Sequence, residues 1–112
     1  MEDRIEIGWL FDFYGPLLTS RQQTLLALYC EEDFSLSEIA AHEGISRQAA
    51  YDAVRRGAAQ LSGYEKQLGL LERHLRMTQG LEESLEALRD APGEKAEQAR
   101  MILKKLLMQE EE

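Results

Sequence analysis

The sequence predicts an all-α protein. Its apolar residues recur every three or four positions, which is the period of a helix, and only Pro16 and Pro92 interrupt the pattern. With 112 residues, of which 44% are hydrophobic, the chain is long enough to bury one core. We therefore expect a helical bundle built around a helix-turn-helix, with a long helix and a C-terminal helical extension.

The first two helices follow from the N-terminal pattern. The first is predicted over about residues 3–14, where Gly15-Pro16 ends it. The second begins at Thr19 or Ser20, both good N-cap residues, and ends near Glu32. The predicted core stripe of the first helix is rich in aromatic residues: Ile5, Trp9, Leu10, Phe13 and Tyr14.

Residues 35–56 have the anatomy of a helix-turn-helix. Ser35 begins a short helix and Glu38, three residues on, completes a capping box. Gly44 permits the positive φ that ends this helix, and Ser46 caps the next one at once. The spacing leaves only a tight turn between the two helices, as a helix-turn-helix requires.

The helix that begins after Ser46 is predicted to run to about Met77. Gly57, Gly63 and Gly69 each cost about 1 kcal/mol relative to alanine, so a bend is allowed at each of them. An apolar seam along it steps by three and four, and either packs within the chain or pairs with a second chain. This seam is Leu61, Tyr64, Leu68, Leu71 and Leu75.

The chain is predicted to divide into a helical domain, residues 1–77, and an acidic helical extension, residues 78–112. In the extension a short helix should follow Gly80, and Ala91-Pro92-Gly93 should turn the chain into a last amphipathic helix. Residues 110–112 are expected to form a frayed, solvated end.

The second helix of a helix-turn-helix presents its N-terminal turns to the major groove of duplex DNA. Arg47 can contact guanine edges or phosphate, Gln48 can pair with adenine, and Asp52 can accept from cytosine. Such folds also serve as protein docking surfaces. The predicted contact residues are Ser46, Arg47, Gln48, Tyr51, Asp52, Arg55 and Arg56.

Charge restricts where nucleic acid can dock. The chain carries 13 Lys and Arg against 21 Asp and Glu, a net −8, which excludes a histone-like role. Residues 1–45 carry −7, residues 46–76 carry +3, and residues 77–112 carry −4. We expect weak, salt-sensitive binding confined to the recognition helix and its extension.

No residues point to catalysis, a cofactor or a metal. The single Cys30 and the two histidines, His42 and His74, have no catalytic motif around them and are too few for a zinc site. No apolar run is long enough to cross a membrane, and we expect a cytoplasmic protein. Of the N-terminal aromatic residues, Phe11 is expected to face outward, as a candidate for stacking on bases.

Residues 17–56 resemble region four of bacterial sigma factors, through a leading helix and a Ser-Arg start to the recognition helix. LFDFYGPLLT at 10–19, LYCEEDFSLSEIA at 28–40 and ISRQAAYDAVRR at 45–56, followed by YEKQL at 64–68, are more closely similar to the YlxM family of small bacterial helix-turn-helix proteins. The resemblance covers about residues 1–76.

The resemblance to the YlxM family implies a sigma-region-four-like fold and a link to the signal recognition particle pathway. Its members are described as DNA-binding or regulatory proteins, so the ligand would be duplex DNA or the RNA of the particle. The alternative is a protein-interaction module whose acidic segments contact a basic partner such as the GTPase subunit of the particle. Because reading duplex DNA usually takes two half-sites, a homodimer is a further expectation.

Overall fold

A computed structural model describes residues 4–111, and all the regular structure in that range is helical. The all-α prediction is confirmed. The chain falls into two compact units, divided between Leu71 and Glu72. None of the helices in this range is long and apolar enough to span a bilayer. The helices are α1 (Arg4–Tyr14), α2 (Ser20–Cys30), α3 (Leu36–Glu43), α4 (Arg47–Leu68), α5 (Leu70–Leu88) and α6 (Glu94–Glu111), with a 3₁₀ turn at Gly15–Leu17 after α1.

The first unit is organised around α4, which packs against α1, α2 and α3. A Cβ built on Gly57 would lie 2.8 Å from Leu26 Cδ1, so α2 crosses α4 where a side chain is missing. This close approach buries the centre of the unit completely, as packing at crystal-like density requires. The largest fully buried side chains are Tyr14, Ile7, Leu26, Ile39, Leu61 and Val54.

Side-chain caps begin α2 and α3 where the sequence predicted them. Thr19, and not Ser20, is the N-cap of α2, and it forms a capping box with Gln22. Ser35 and Glu38 form the same arrangement at the start of α3. The backbone N–H and hydroxyl of Ser35 hold the pKa of Glu38 below its usual value, because both interactions favour the carboxylate.

The predicted core stripe of α1 is wrong in part. Ile7, Leu10 and Tyr14 are the buried residues of this helix, whereas Ile5 is exposed and Trp9 is 48% exposed. Seven of the 11 residues of α1 are large and apolar, so two stripes with helical spacing are available, and packing against α2 and α4 selects between them. Residue 3 of the predicted helix lies outside the described residues.

The long fourth helix is two helices. Gly69 has φ +62° and forms the left-handed C-cap of α4, and α5 begins at the next residue. The predicted seam is therefore interrupted: Leu61, Tyr64 and Leu71 pack in the core, while Leu68 and Leu75 are exposed.

The second unit consists of the rest of α5 and α6. The segment after Gly80, predicted as a separate helix, continues α5, and the predicted turn at Ala91–Gly93 leads into α6. Arg100 of α6 donates to the carbonyl oxygens of Leu88 and Ala91 at 2.6 and 2.9 Å.

The expectation of a frayed end is wrong for Glu110 and Glu111, which are helical. Glu110 Oε2 lies 3.1 Å from Nδ1 of His74 on α5, so this carboxylate is held by a partner. Residue 112 lies outside the described residues.

Candidate nucleic-acid interface

The turn between α3 and α4 fixes the start of the candidate recognition helix. Gly44 takes the left-handed conformation (φ 68°, ψ 34°), which an L side chain rarely adopts. The N–H of Ile45 donates to the carbonyl oxygen of Ala40 at 3.0 Å, and Ser46 then begins α4 with its hydroxyl accepting from the N–H of Ala49. The turn at Gly44 and the N-cap at Ser46 are as the sequence predicted.

Small side chains let α3 and α4 approach closely. Ile39 and Ala40 of α3 are buried, as are Ala50 and Val54 of α4. Ile45, in the turn, is half-buried and packs against the same core. This wedge fixes α4 relative to α3, so the exposed side of α4 is held on a rigid support.

The structure places the predicted contact residues on the first three turns of α4 and at its N-cap. Ser46, Arg47, Gln48, Arg55 and Arg56 are exposed, while Tyr51 and Asp52 are half-buried. The fully buried Ala50, Val54 and Gly57 of the same turns line the opposite side. The seven predicted residues therefore belong to one continuous surface of the molecule.

The charged side chains of this surface differ in their bonding. Arg47, Arg55 and Arg56 form no ion pair with any other residue of 4–111. Asp52, by contrast, accepts a hydrogen bond from Nε2 of Gln48 at 3.1 Å, one turn earlier. The three guanidinium groups are thus available to an anionic ligand, whereas Gln48 and Asp52 are engaged with each other.

The sequence did not predict that α2 borders this surface. A groove of about 330 Å³ lies between the start of α2 and the side of α4, and Arg56 is one of the residues that line it. Arg21 Nη1 is 2.6 Å from Glu43 Oε1, and Gln22 Nε2 is 2.6 Å from Gln60 Oε1. Only tertiary packing brings these residues of α2 beside α4, so no local pattern marks them. The groove is lined by Thr19, Arg21, Gln22, Leu25, Ile45, Ala49, Ala53 and Arg56.

The other candidate residues are accounted for by packing. Phe11, expected to face outward, is half-buried against the core, and its ring lies 3.0 Å from where a Cβ on Gly15 would be. Cys30 is also half-buried, and burial raises the pKa of its thiol to about 11. His42 is exposed and lies edge-on to the ring of Phe34. Within residues 4–111, no three His, Cys, Asp or Glu side chains are grouped so as to hold a metal ion.

The capped α3, the glycine turn and the capped α4 define a helix-turn-helix protein. Comparison with protein families gives the same class: the family described as "Putative helix-turn-helix protein, YlxM / p13 like" matches residues 1–106. The chain belongs to this family, and the resemblance seen in the sequence is confirmed.

Bacterial relatives support the assignment. A UPF0122 protein of Symbiobacterium thermophilum is 51% identical over 88 residues, which cover 79% of this chain and 82% of the relative. A UPF0122 protein of Clostridium botulinum is 43% identical over 90 residues, covering 80% and 83%. A third, from Geobacillus kaustophilus, is 40% identical over 102 residues, covering 91% and 93%.

Proposed function

We propose that this protein is a non-enzymatic regulatory protein that binds nucleic acid with the N-terminal half of α4. The observation that carries the proposal is the set of three exposed arginines, Arg47, Arg55 and Arg56, without ion pairs among residues 4–111, on a rigidly supported helix of an otherwise acidic chain. The proposed contact residues are Ser46, Arg47, Gln48, Tyr51, Asp52, Arg55 and Arg56.

The start of α4 would bind phosphate with its backbone and read bases with its side chains at the same time. The amide groups of Arg47 and Gln48 lie in the first turn, where backbone N–H groups have no partner within the helix and attract anions. The side chains of the same two residues project from this turn, where an inserted helix meets base edges. Gln48 would exchange its hydrogen bond with Asp52 for one to adenine.

The dimensions of α4 favour duplex DNA over a regular RNA helix. The major groove of B-form DNA is about 12 Å wide and admits an α-helix, whereas the deep, narrow major groove of A-form RNA does not. The RNA of the signal recognition particle, which the family resemblance suggested, would have to offer a loop or a widened groove. Either ligand places the protein's action in the cytoplasm.

The test is a salt titration of binding, with fluorescence anisotropy of a labelled duplex of mixed sequence and of the particle's RNA. Three arginines on phosphates predict that log K falls with log salt concentration with a slope of about −3. A preference for the RNA above about tenfold, roughly 1.4 kcal/mol, would identify RNA as the ligand.

Two substitutions test the assignment of α4. Arg47→Ala and Arg55→Ala should each weaken binding and reduce the magnitude of the salt slope by about one. Arg89→Ala is the matched control, because Arg89 is an exposed arginine just after α5 whose ion pairs within residues 4–111 are with its neighbours Glu86 and Asp90. If both α4 variants bind as the unsubstituted protein does while retaining their helicity, α4 is not the interface.

A protein-binding role is the second candidate, and one observation favours it. Glu31, Glu32 and Asp33 form an exposed acidic run between α2 and α3, which is a docking point for a basic protein. The GTPase subunit of the signal recognition particle is the partner that the family resemblance suggested. Calorimetry with the purified GTPase at low salt should detect binding that Glu31→Gln/Glu32→Gln weakens. No heat of binding at low salt would exclude this role.

A further inference from the structure

Helix α6 exposes apolar side chains to an unusual extent. None of its residues is buried, although the helix contains six large apolar side chains in 18 residues. Four of them are 43–65% exposed: Met101, Ile102, Leu106 and Met108. A helix with apolar residues on more than one side is normally covered on more than one side.

Of these four residues, Met101 and Met108 lie away from the side that faces α5. Leu103, Leu107 and Glu110 are half-buried, and Glu110 contacts His74 of α5. Met101, Lys105 and Met108 each precede one of these positions by two residues, which is about 200° round the helix. A shallow groove on this outer face is lined by Gln98, Met101, Ile102 and Lys105.

The second unit has too little core for its size. Among its described residues from Glu72 on, Leu81 is the only buried hydrophobic side chain. Units of about 40 residues usually need a disulfide, a metal or another chain for stability. The one cysteine, Cys30, lies in the other unit, and residues 4–111 contain no metal-binding group of three. A second chain would supply the burial that the described residues of this unit lack.

We propose that the outer face of α6 pairs with α6 of a second copy of this chain, antiparallel and about a two-fold axis near Met101. The charges of α6 favour a second copy of the same helix as the partner. Glu97 and Lys104 are exposed and seven residues apart, so they share one side of α6. A two-fold axis between them sets Glu97 of each copy against Lys104 of the other, as a self-complementary interface requires. A parallel pairing would instead oppose like charges.

This pairing extends the proposed function. A dimer carries two copies of α4, which is the number that a two-half-site duplex target needs. The pairing itself does not depend on nucleic acid, so it is tested without any, and its failure would leave the proposed role of α4 standing.

Sedimentation of the full chain provides the first test. We expect a species of twice the 12.8 kDa chain mass at micromolar concentration. Met101→Glu should raise the dimer dissociation constant at least about tenfold, whereas Leu17→Glu, a substitution of a 55% exposed leucine in the first unit, should not change it. A monomer at all concentrations up to about 100 μM, or a dimer that Met101→Glu leaves intact, overturns the proposal.

Cysteine cross-linking tests the orientation, in a Cys30→Ser background. Met101→Cys should form a disulfide between copies under mild oxidation, because residues near the two-fold axis approach within the Cα–Cα range of a disulfide. Met108→Cys should not, since an antiparallel pairing holds these residues about 22 Å apart along the helix axis. Cross-linking through residue 108, or none through residue 101, overturns the antiparallel pairing.

A charge exchange tests the contact itself. Glu97→Lys and Lys104→Glu should each weaken the dimer several-fold by opposing like charges, and the double variant should restore it. Restoration cannot come from the stability of α6 alone, because circular dichroism of the single variants reports that effect separately. A double variant weaker than both single variants would exclude this pair from the interface.

Discussion

Tyr14 shows how much a single hydroxyl contributes to this fold. Its side chain is 1% exposed, and its hydroxyl donates to Glu65 Oε1 at 2.6 Å while accepting from the N–H of Leu70 at 3.0 Å. The N–H of Leu71 donates to the same carboxylate oxygen. Leu70 and Leu71 begin α5, and the residue before them, Gly69, has no side chain that could cap this helix. Tyr14 of α1 and Glu65 of α4 together supply the cap instead.

Removing this hydroxyl should destabilise the first unit. We expect Tyr14→Phe to lower the free energy of unfolding by about 1–2 kcal/mol, because it leaves the N–H of Leu70 and the carboxylate of Glu65 each without one partner. Urea unfolding at neutral pH measures this difference. Tyr64→Phe is the control: its hydroxyl makes no hydrogen bond to the other described residues, so its effect should stay within about 0.5 kcal/mol.

The loss of stability caused by Tyr14→Phe should depend on pH. Burial, together with the hydrogen bond to Glu65, raises the pKa of Tyr14 above its ordinary value of 10.0. The folded protein therefore holds this proton more tightly than the unfolded chain, and stability is present below pH 10 and lost as the pH rises beyond it. The advantage of the unsubstituted protein over Tyr14→Phe should shrink above pH 10. A constant difference up to pH 11 would contradict this assignment.

At the scale of the elements, Gly69 decides where α4 ends. Its φ of +62° favours glycine, and a Cβ there would meet no atom within 4 Å, so strain of the backbone is the only cost of a side chain. Gly69→Ala should destabilise the protein by about 1 kcal/mol. Gly63→Ala, at a helical position that is equally open, should stabilise it by up to about 1 kcal/mol. Urea midpoints of the two variants should shift in opposite directions, and shifts of the same sign would contradict this explanation.

The elements also show what the sequence can and cannot predict. The capping box of Ser35 and Glu38 and the turn at Gly44 are local signals, complete within four or so residues, and the structure has both as predicted. The break at Gly69 is not local, since Gly57, Gly63 and Gly69 look alike in sequence. The cap that Glu65 supplies together with Tyr14, which is 56 residues away from Leu70 in the chain, distinguishes the last of them.

The same reasoning applies to the candidate interface. The start of α4 and its exposed residues follow from one helical period after Ser46, so the sequence could place them. The border formed by Arg21 and Gln22 depends on ion pairs and hydrogen bonds to Glu43 and Gln60, which are 22 and 38 residues distant. Long-range contacts of this kind produce no periodic pattern in the sequence, so the sequence could not predict them. For the same reason it could not predict which of the two apolar stripes of α1 is buried.

At the scale of the whole molecule, net charge and local charge make opposite predictions. A net −8 repels nucleic acid on average, yet residues 46–76 carry +3, and ions screen charges beyond about 10 Å at 0.1 M salt. Local charge should therefore decide binding. Of the acidic residues of α4, Asp52 is the one that the proposed interface includes, and in that interface its carboxylate would face a ligand's phosphates where a fourth cation would attract them.

Two substitutions that change the net charge equally separate these effects. Asp52→Asn should tighten binding to a duplex by about 1 kcal/mol, roughly fivefold, because it removes a repulsion within the interface. Glu32→Gln, in the exposed turn after α2, makes the same change in net charge and should alter affinity little, since its carboxylate lies outside α4. Anisotropy titrations at 0.1 M salt measure both. Equal effects would mean that total charge controls binding, and weaker binding by Asp52→Asn to one duplex sequence alone would mean that Asp52 reads a base there.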